Sequence, residues 1–199
     1  MCSITTANNL DDARAYYDDI KTRMAAVGRA PDALKILPGA FVVVGDSRAH
    51  AEEMKARLDS LVHPDSGIAT LSVLLGTDAS DFALDAPLPP LAASNASQSG
   101  QQKLIAMAER DKLTVGQLAQ YVGGSFSSLE IVGTATDIAD QMQNWFESGG
   151  CDGFNVMFPF LPAGLDRFVD EVIPELQRRG LFRTHYAGTT LRENLGLAR

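Results

Sequence analysis

Few residues in this chain are able to do chemistry, and their spacing limits what that chemistry can be. The three histidines, His50, His63 and His185, stand far apart. None pairs with a cysteine at metal-ligand spacing. His50 sits among polar helix residues and His63 just before a proline, so both read as solvated side chains. The two cysteines, Cys2 and Cys151, form no CxxC motif and cannot make a disulfide framework. Asp18-Asp19 and Glu52-Glu53 are carboxylate pairs on polar helix faces, where nothing would raise a pKa for acid–base work. No G-x-S-x-G nucleophile motif occurs, and no residue reads as catalytic. What remains is a group at the end of one short apolar stretch: Asn155, Met157, Phe158 and Phe160. An amide there could present a hydrogen bond and the apolar side chains could wall an organic substrate. The plainer reading, and the favoured one, makes Asn155 a buried amide satisfied by neighbouring backbone and the two phenylalanines core.

The elements that would position these residues follow a β/α rhythm. Ser3–Ala7 reads as a short strand, with Thr5 and Thr6 as simple β-formers. Leu10, Ala13, Tyr17, Ile20, Met24 and Val27 recur at helical spacing, with Asn9 as N-cap and Gly28 as stop. Leu34–Val44 is apolar without alternation, as in a parallel strand buried on both faces. Pro38-Gly39 inside it predicts a bulge or a close backbone approach. A helix from about Ser47 to Leu61 is expected to stop at Pro64. Residues 64–99 then hold one apolar stretch, Ile68–Leu75, and a Pro/Ala/Ser/Asp-rich passage, Asp78–Ser99. Such a loop is unusual inside a compact domain and marks a lid or a mobile segment. Helices are predicted over Gln101–Arg110 and over Val115–Val122, the second behind the capping box Thr114-x-x-Gln117, with Gly123-Gly124 as a stop. Leu129–Val132 is a short apolar stretch leading to a helix with Ile138, Ala139, Met142 and Trp145, which Gly149-Gly150 ends. Phe154–Met157 is the last strand. Leu165, Phe168, Val169, Val172, Ile173 and Leu176 form the buried face of the last helix, which Pro174 should kink and Gly180 should end.

The chain has 199 residues, 45% of them hydrophobic, enough for a sizeable core. A net charge of −8 argues against nucleic acid or an anionic membrane surface as partner. No run approaches the ~18 apolar residues that a membrane span needs, and Met1–Ala7, without a charged n-region or a long apolar core, is not expected to be a signal peptide. The expectation is a reduced, soluble, cytoplasmic protein.

Several segments, in order, resemble the C-terminal part of the bacterial luciferase-like flavin monooxygenases. The branch is that of nitrilotriacetate monooxygenase, dibenzothiophene-sulfone monooxygenase and the pristinamycin synthase subunit. The segments are Asp12–Tyr17 with Ile20-Lys21, Leu34–Gly39, Leu113–Ala119, Val132–Thr134 with Ile138-Ala139, Asp152–Met157, Pro174–Arg183 and Thr189–Leu195. The resemblance implies an α/β fold: the C-terminal part of a TIM (β/α)8 barrel, with strands like the sixth, seventh and eighth, and a helical insertion between the last two. It divides the chain into partial barrel β/α units (1–63), an insertion with a long loop and two helices (64–124), the last barrel β/α unit (125–182) and a C-terminal arm (183–199).

By the same resemblance, the chemistry is oxygenation of a small organic substrate by reduced FMN, supplied by a separate flavin reductase. A whole barrel needs eight strands and about 250 residues; the first five strands, with most flavin contacts and a phosphate loop, would fall upstream of Met1. Ser125–Glu130 departs from the family, which usually has a basic, His-containing segment there. Phe158 and Phe160 would wall an isoalloxazine ring or a substrate. The expectation is a chain inactive without an N-terminal half supplied by a neighbour, which does not retain FMN alone. The alternative is a non-catalytic remnant that self-associates as a homo-oligomer.

Overall fold

In a computed structural model, which describes residues 2–5, 7–92, 97–125 and 128–196, the long apolar stretch forms the organising strand. Strand β1 (Cys2–Thr5) leads into helix α1 (Leu10–Ala26), and β2 (Lys35–Val44) follows. The order continues with α2 (Arg48–Ser60), α3 (Pro64–Leu75), α4 (Gln98–Asp111), α5 (Val115–Ser125), β3 (Leu129–Gly133), α6 (Ala135–Glu147) and β4 (Asn155–Met157). A helical run closes the chain: α7 (Ala163–Arg167), a π-helical turn (Phe168–Val172) and α8 (Ile173–Arg178), then the short α9 (Leu191–Asn194) in the arm. Contacts divide the chain into two compact units, one made of Met1–Lys55 with Ser128–Arg199 and the other of Ala56–Ser127.

In the first unit every strand pairing is parallel. β1 pairs with the first half of β2, from Cys2↔Lys35 to Thr5↔Pro38. β3 and β4 pair with its second half, and because both face Ala40 and Phe41 they lie on opposite edges of β2. β2 is unbroken at Pro38-Gly39, so the expected bulge is absent. The reason is the stagger of its partners. Pro38 is the last residue paired with β1 and Gly39 the first paired with β4, so the missing N–H of proline falls where one ladder ends and the next begins. The expected close approach at Gly39 is present: a Cβ there would lie 3.3 Å from Ser128 Oγ and 3.4 Å from Met157 Cε. Leu129–Val132, which reads only as an apolar stretch, is strand β3, alternating buried and half-buried residues.

α1 is capped as its sequence requires: Asn9 accepts from the Asp12 N–H at 2.9 Å, and Gly28 takes φ 70°. α6 opens with a reciprocal capping box between Thr134 and Asp137. Its buried face, Ile138, Ala139, Met142 and Trp145, packs with Ala40, Val42 and Val44 of β2, Ile131 of β3, and Phe168, Val172 and Leu176 of the closing helical run. That run buries Gly164, Phe168, Val172 and Leu176; Leu165 and Val169 are exposed, against expectation. Pro174 brings a change of helical pattern. It has no N–H to donate, and the turn before it, Phe168–Val172, takes the wider π form.

The second unit is helical and departs from the sequence reading at both of its presumed breaks. Pro64 starts α3 rather than merely ending α2, because its fixed φ suits the first helical position. α4 begins earlier than expected, with Ser97 as N-cap. α5 runs through Gly123-Gly124 to Ser125. These glycines serve packing: a Cβ at Gly123 would meet Val62 Cγ1 at 2.8 Å, and one at Gly67 of α3 would meet the Ala119 carbonyl at 2.7 Å. Leu71, Leu75, Leu104, Leu118 and Val122 fill this unit's core.

Candidate functional site

Paired residues of parallel strands project to the same side of a sheet, and successive residues to opposite sides. Ala40, Val42 and Val44 of β2 go into the helix-covered core. Gly39, Phe41 and Val43 therefore belong to the other face. Asn155 is paired with Gly39 and Met157 with Phe41, so two of the four candidate residues join that face. Asn155 is exposed there rather than buried. Phe158 goes the other way, packing edge-on against Phe168 with ring centroids 5.4 Å apart, in the helix-side core. Phe160 lies half-buried in the turn before α7, where its carbonyl accepts from the Gly164 N–H. Thr6 lies outside the described residues.

β3 adds residues that the sequence reading missed. Glu130 is paired with Phe41 and Val132 with Val43, on the face shared with Asn155 and Met157. Glu130 forms an ion pair with Lys55, 3.1 Å from Nζ to Oε1, without hydrogen-bond geometry at that buried oxygen. Ser128, only 5% exposed, stands beside Gly39. The available signal was a lone carboxylate at an alternate position of Leu129–Gly133. The face thus combines a glycine notch, Phe41 and Met157 with the polar groups of Ser128, Asn155 and Glu130.

Whether this chain's residues fit an FMN phosphate can be tested at its helix N-termini, the usual anion seats. The start of α6 is filled by Asp137, whose carboxylate accepts from the Thr134 N–H at 3.0 Å and occupies the space beside Gly133. Those hydrogen bonds hold the Asp137 carboxyl below its ordinary range. Ahead of α2 stands Asp46, with Arg167 Nη2 at 2.6 Å and His50 Nδ1 at 3.1 Å. A Cβ at Gly45 would lie 2.5 Å from the Ala51 nitrogen, so that turn has no room for an approaching ligand. Arg167 is held above its usual range, chiefly by its bond to Glu171. Side-chain carboxylates already fill both of these seats, so these residues do not fit that end of the cofactor. Among the described residues no group of three or more His, Cys, Asp or Glu could hold a metal, and no helix is long and apolar enough to cross a membrane.

The densest polar cluster lies at the opposite, N-terminal end of β4. Asp152 Oδ2 accepts from Lys21 Nζ at 2.9 Å and from the Ile36 N–H at 2.8 Å, and Oδ1 accepts from Tyr17 Oη at 3.0 Å. Lys21 also donates to the carbonyls of Pro31 and Leu34. These bonds tie α1 to β2 and β4. In barrels this end carries stability rather than chemistry.

Burial, with the Asp152 hydrogen bond, pushes Tyr17 up to about 12, and burial pushes the neighbouring Cys151 thiol up to about 12. In the unfolded chain these groups ionise near pH 10 and about 8.5. Their contribution is full below about pH 8.5, is lost through the window up to about 12, and leaves none above it. Denaturant titrations at about pH 8 and about pH 11 should show wild type losing more stability across that interval than Tyr17→Phe; equal losses would contradict this. The buried thiol is also unreactive. A thiol reagent should label exposed Cys2 in the native chain and Cys151 only after unfolding; rapid labelling of both would show that Cys151 is open.

Residues 2–152 match the sequence model of the luciferase-like monooxygenases. The chain belongs to that family. Among curated relatives of this luciferase-like chain, nitrilotriacetate monooxygenase component A of Aminobacter aminovorans is 45% identical over 197 residues, covering 98% of this chain and 44% of the relative. N-acetyl-S-(2-succino)cysteine monooxygenase of Bacillus subtilis (strain 168) is 44% identical, covering 97% of this chain and 44% of the relative. Among solved structures, that of DmoA from Hyphomicrobium sulfonivorans superposes with a TM-score of 0.84 at 27% identity, covering 98% of this chain and 41% of that one. The luciferase-like chain thus spans less than half the length of these relatives, and its parallel sheet and flanking helices are the matching part of their TIM-barrel fold.

Proposed function

We propose that this chain is the C-terminal part of a flavin-dependent monooxygenase acting on a small organic substrate, active only when joined by the barrel strands its relatives carry outside the matched region. The supporting observation is the sheet face bearing Gly39, Phe41, Ser128, Glu130, Asn155 and Met157, in a chain covering 44% of its relatives. That face supplies a wall with few polar groups. When bound, reduced FMN would supply the oxygen chemistry, and a separate reductase would deliver it, in keeping with a relative named component A. The phosphate would be held outside these residues, since Asp46 and Asp137 occupy the local anion seats. Oxygen uptake with reduced FMN and candidate substrates checks the reading. Substrate-dependent uptake is expected when the chain is co-expressed with the N-terminal portion of a relative, and none above free flavin from the chain alone. Uptake by the isolated chain would contradict the proposal. The competing reading, a non-catalytic chain that self-associates, draws on the exposed Ile4 of β1.

A further inference from the structure

The second unit holds a cavity of its own, about 540 Å³, a size that takes a small molecule. One wall belongs to the Pro-rich passage expected to be a lid or a mobile segment. Residues 87–91 of that passage are instead pinned at both ends. Thr114 bridges Pro87, and the Val115 and Gly116 N–H groups donate to the Ala86 and Leu84 carbonyls at 2.9 and 2.8 Å. On the far side, Gln101 Nε2 donates to the Ala92 carbonyl. Pro87, Pro89 and Pro90 fix φ along the wall, so it is preformed. Leu88, Leu91 and Leu113 pack on this unit's core, and Ile105 of α4 completes an aliphatic lining.

Two charged residues stand in that lining, Glu109 and Lys112. Opposite charges three positions apart on a helix ordinarily meet. These do not: among the described residues neither side chain makes an ion pair or a hydrogen bond. Between them, Arg110 and Asp111 neutralise each other through two hydrogen bonds. The cause is the end of α4. Lys112 caps the helix with φ 52°, in the left-handed region, which turns its side chain off the helical row. Glycine is the usual residue at such a cap, and Lys112 is the one non-glycine described residue with positive φ. An outlier of this kind points to a use for the side chain.

A ligand complementary to this cavity carries a cation for Glu109, an anion for Lys112 and a hydrocarbon for the aliphatic lining. A simple carboxylate meets repulsion from Glu109, and a simple amine meets it from Lys112. We propose that the cavity between residues 87–91 and α4 binds a free aliphatic α-amino acid. Its ammonium lies on Glu109, its carboxylate on Lys112, and its side chain among Leu88, Leu91, Ile105 and Leu113. The site lies wholly within the second unit and is independent of flavin chemistry, so its test needs no flavin and no second chain.

The probe is L-leucine, titrated calorimetrically into the full chain, and saturable binding is expected. Isocaproate, which lacks the ammonium, and L-leucinamide, which lacks the carboxylate, should each bind about tenfold more weakly. Glu109→Gln should weaken L-leucine about tenfold and spare isocaproate; Lys112→Met should weaken it similarly and spare L-leucinamide. Both positions are exposed, so the fold tolerates either change, which far-UV circular dichroism checks. Lys112→Gly separates the cap from the ligand. It should melt above wild type, because glycine suits the left-handed cap, yet bind L-leucine as poorly as Lys112→Met. Absence of saturable binding at millimolar L-leucine overturns the proposal. So does equal affinity for either singly charged analogue, or an affinity unchanged in the folded Glu109 and Lys112 variants.

Discussion

Replacing Asp152 with alanine should destabilise the chain by about 3–5 kcal/mol, the range for removing one partner of a buried ion pair. Both side chains of the Lys21–Asp152 pair are only 12% exposed. The substitution leaves the Lys21 ammonium without its carboxylate and the Tyr17 hydroxyl and Ile36 N–H without their acceptor. Lys21→Met should cost a similar amount by leaving the Asp152 charge uncompensated. In a double-mutant cycle the two should couple by about 0.5–3 kcal/mol, as groups of one network do. Domains are stable by only about 5–15 kcal/mol, so either single variant should melt far below wild type. Denaturant unfolding measures the effect. A single-substitution cost under about 1 kcal/mol, typical of surface pairs, would show that the cluster is not a structural tie.

Trp145→Ala should cost about 3–5 kcal/mol, the usual range for truncating a buried aromatic side chain. The ring is 3% exposed, tilted against Phe154 at 6.4 Å. Leu10 of α1 packs on the same core. Because Trp145 is the sole tryptophan, its emission reports this unit directly. It should be blue-shifted in the native chain and move red on unfolding, in step with circular dichroism. A loss below about 1 kcal/mol, or native emission matching that of the unfolded chain, would contradict this packing.

Signals carried within a few residues were legible before any coordinates: Asn9 and Gly28 bounding α1, the Thr114/Gln117 box, and the apolar density of β2. The errors arose where tertiary partners override a local rule. Pro64 reads as a stop, yet proline is equally suited to open a helix, and only the packing of α3 on α5 decides between the two. Gly123-Gly124 reads as a break because glycine frees the backbone; here its missing side chain lets α5 approach Val62 and Gly67. Pro38-Gly39 allows either a bulge or a close backbone approach; the close approach is the one present, and the staggered ends of β1 and β4 that make a bulge unnecessary are invisible in sequence. The sheet face bearing Asn155 and Met157 was half legible: β4 was recognised as a strand, but β3, which joins the face from the other edge of β2 with Glu130 and the preceding Ser128, was not. Tyr17 and Asp152 lie 135 positions apart; both fall within segments that carry the family resemblance, yet their role is structural and emerges only from the fold.

The central claim is that this part of the barrel cannot hold the flavin by itself. The direct measurement is FMN retained after desalting, by visible absorption, for the chain alone and for the chain purified with the N-terminal portion of a relative. The expected result is a colourless chain and a yellow complex. Stoichiometric FMN on the chain alone would contradict the account.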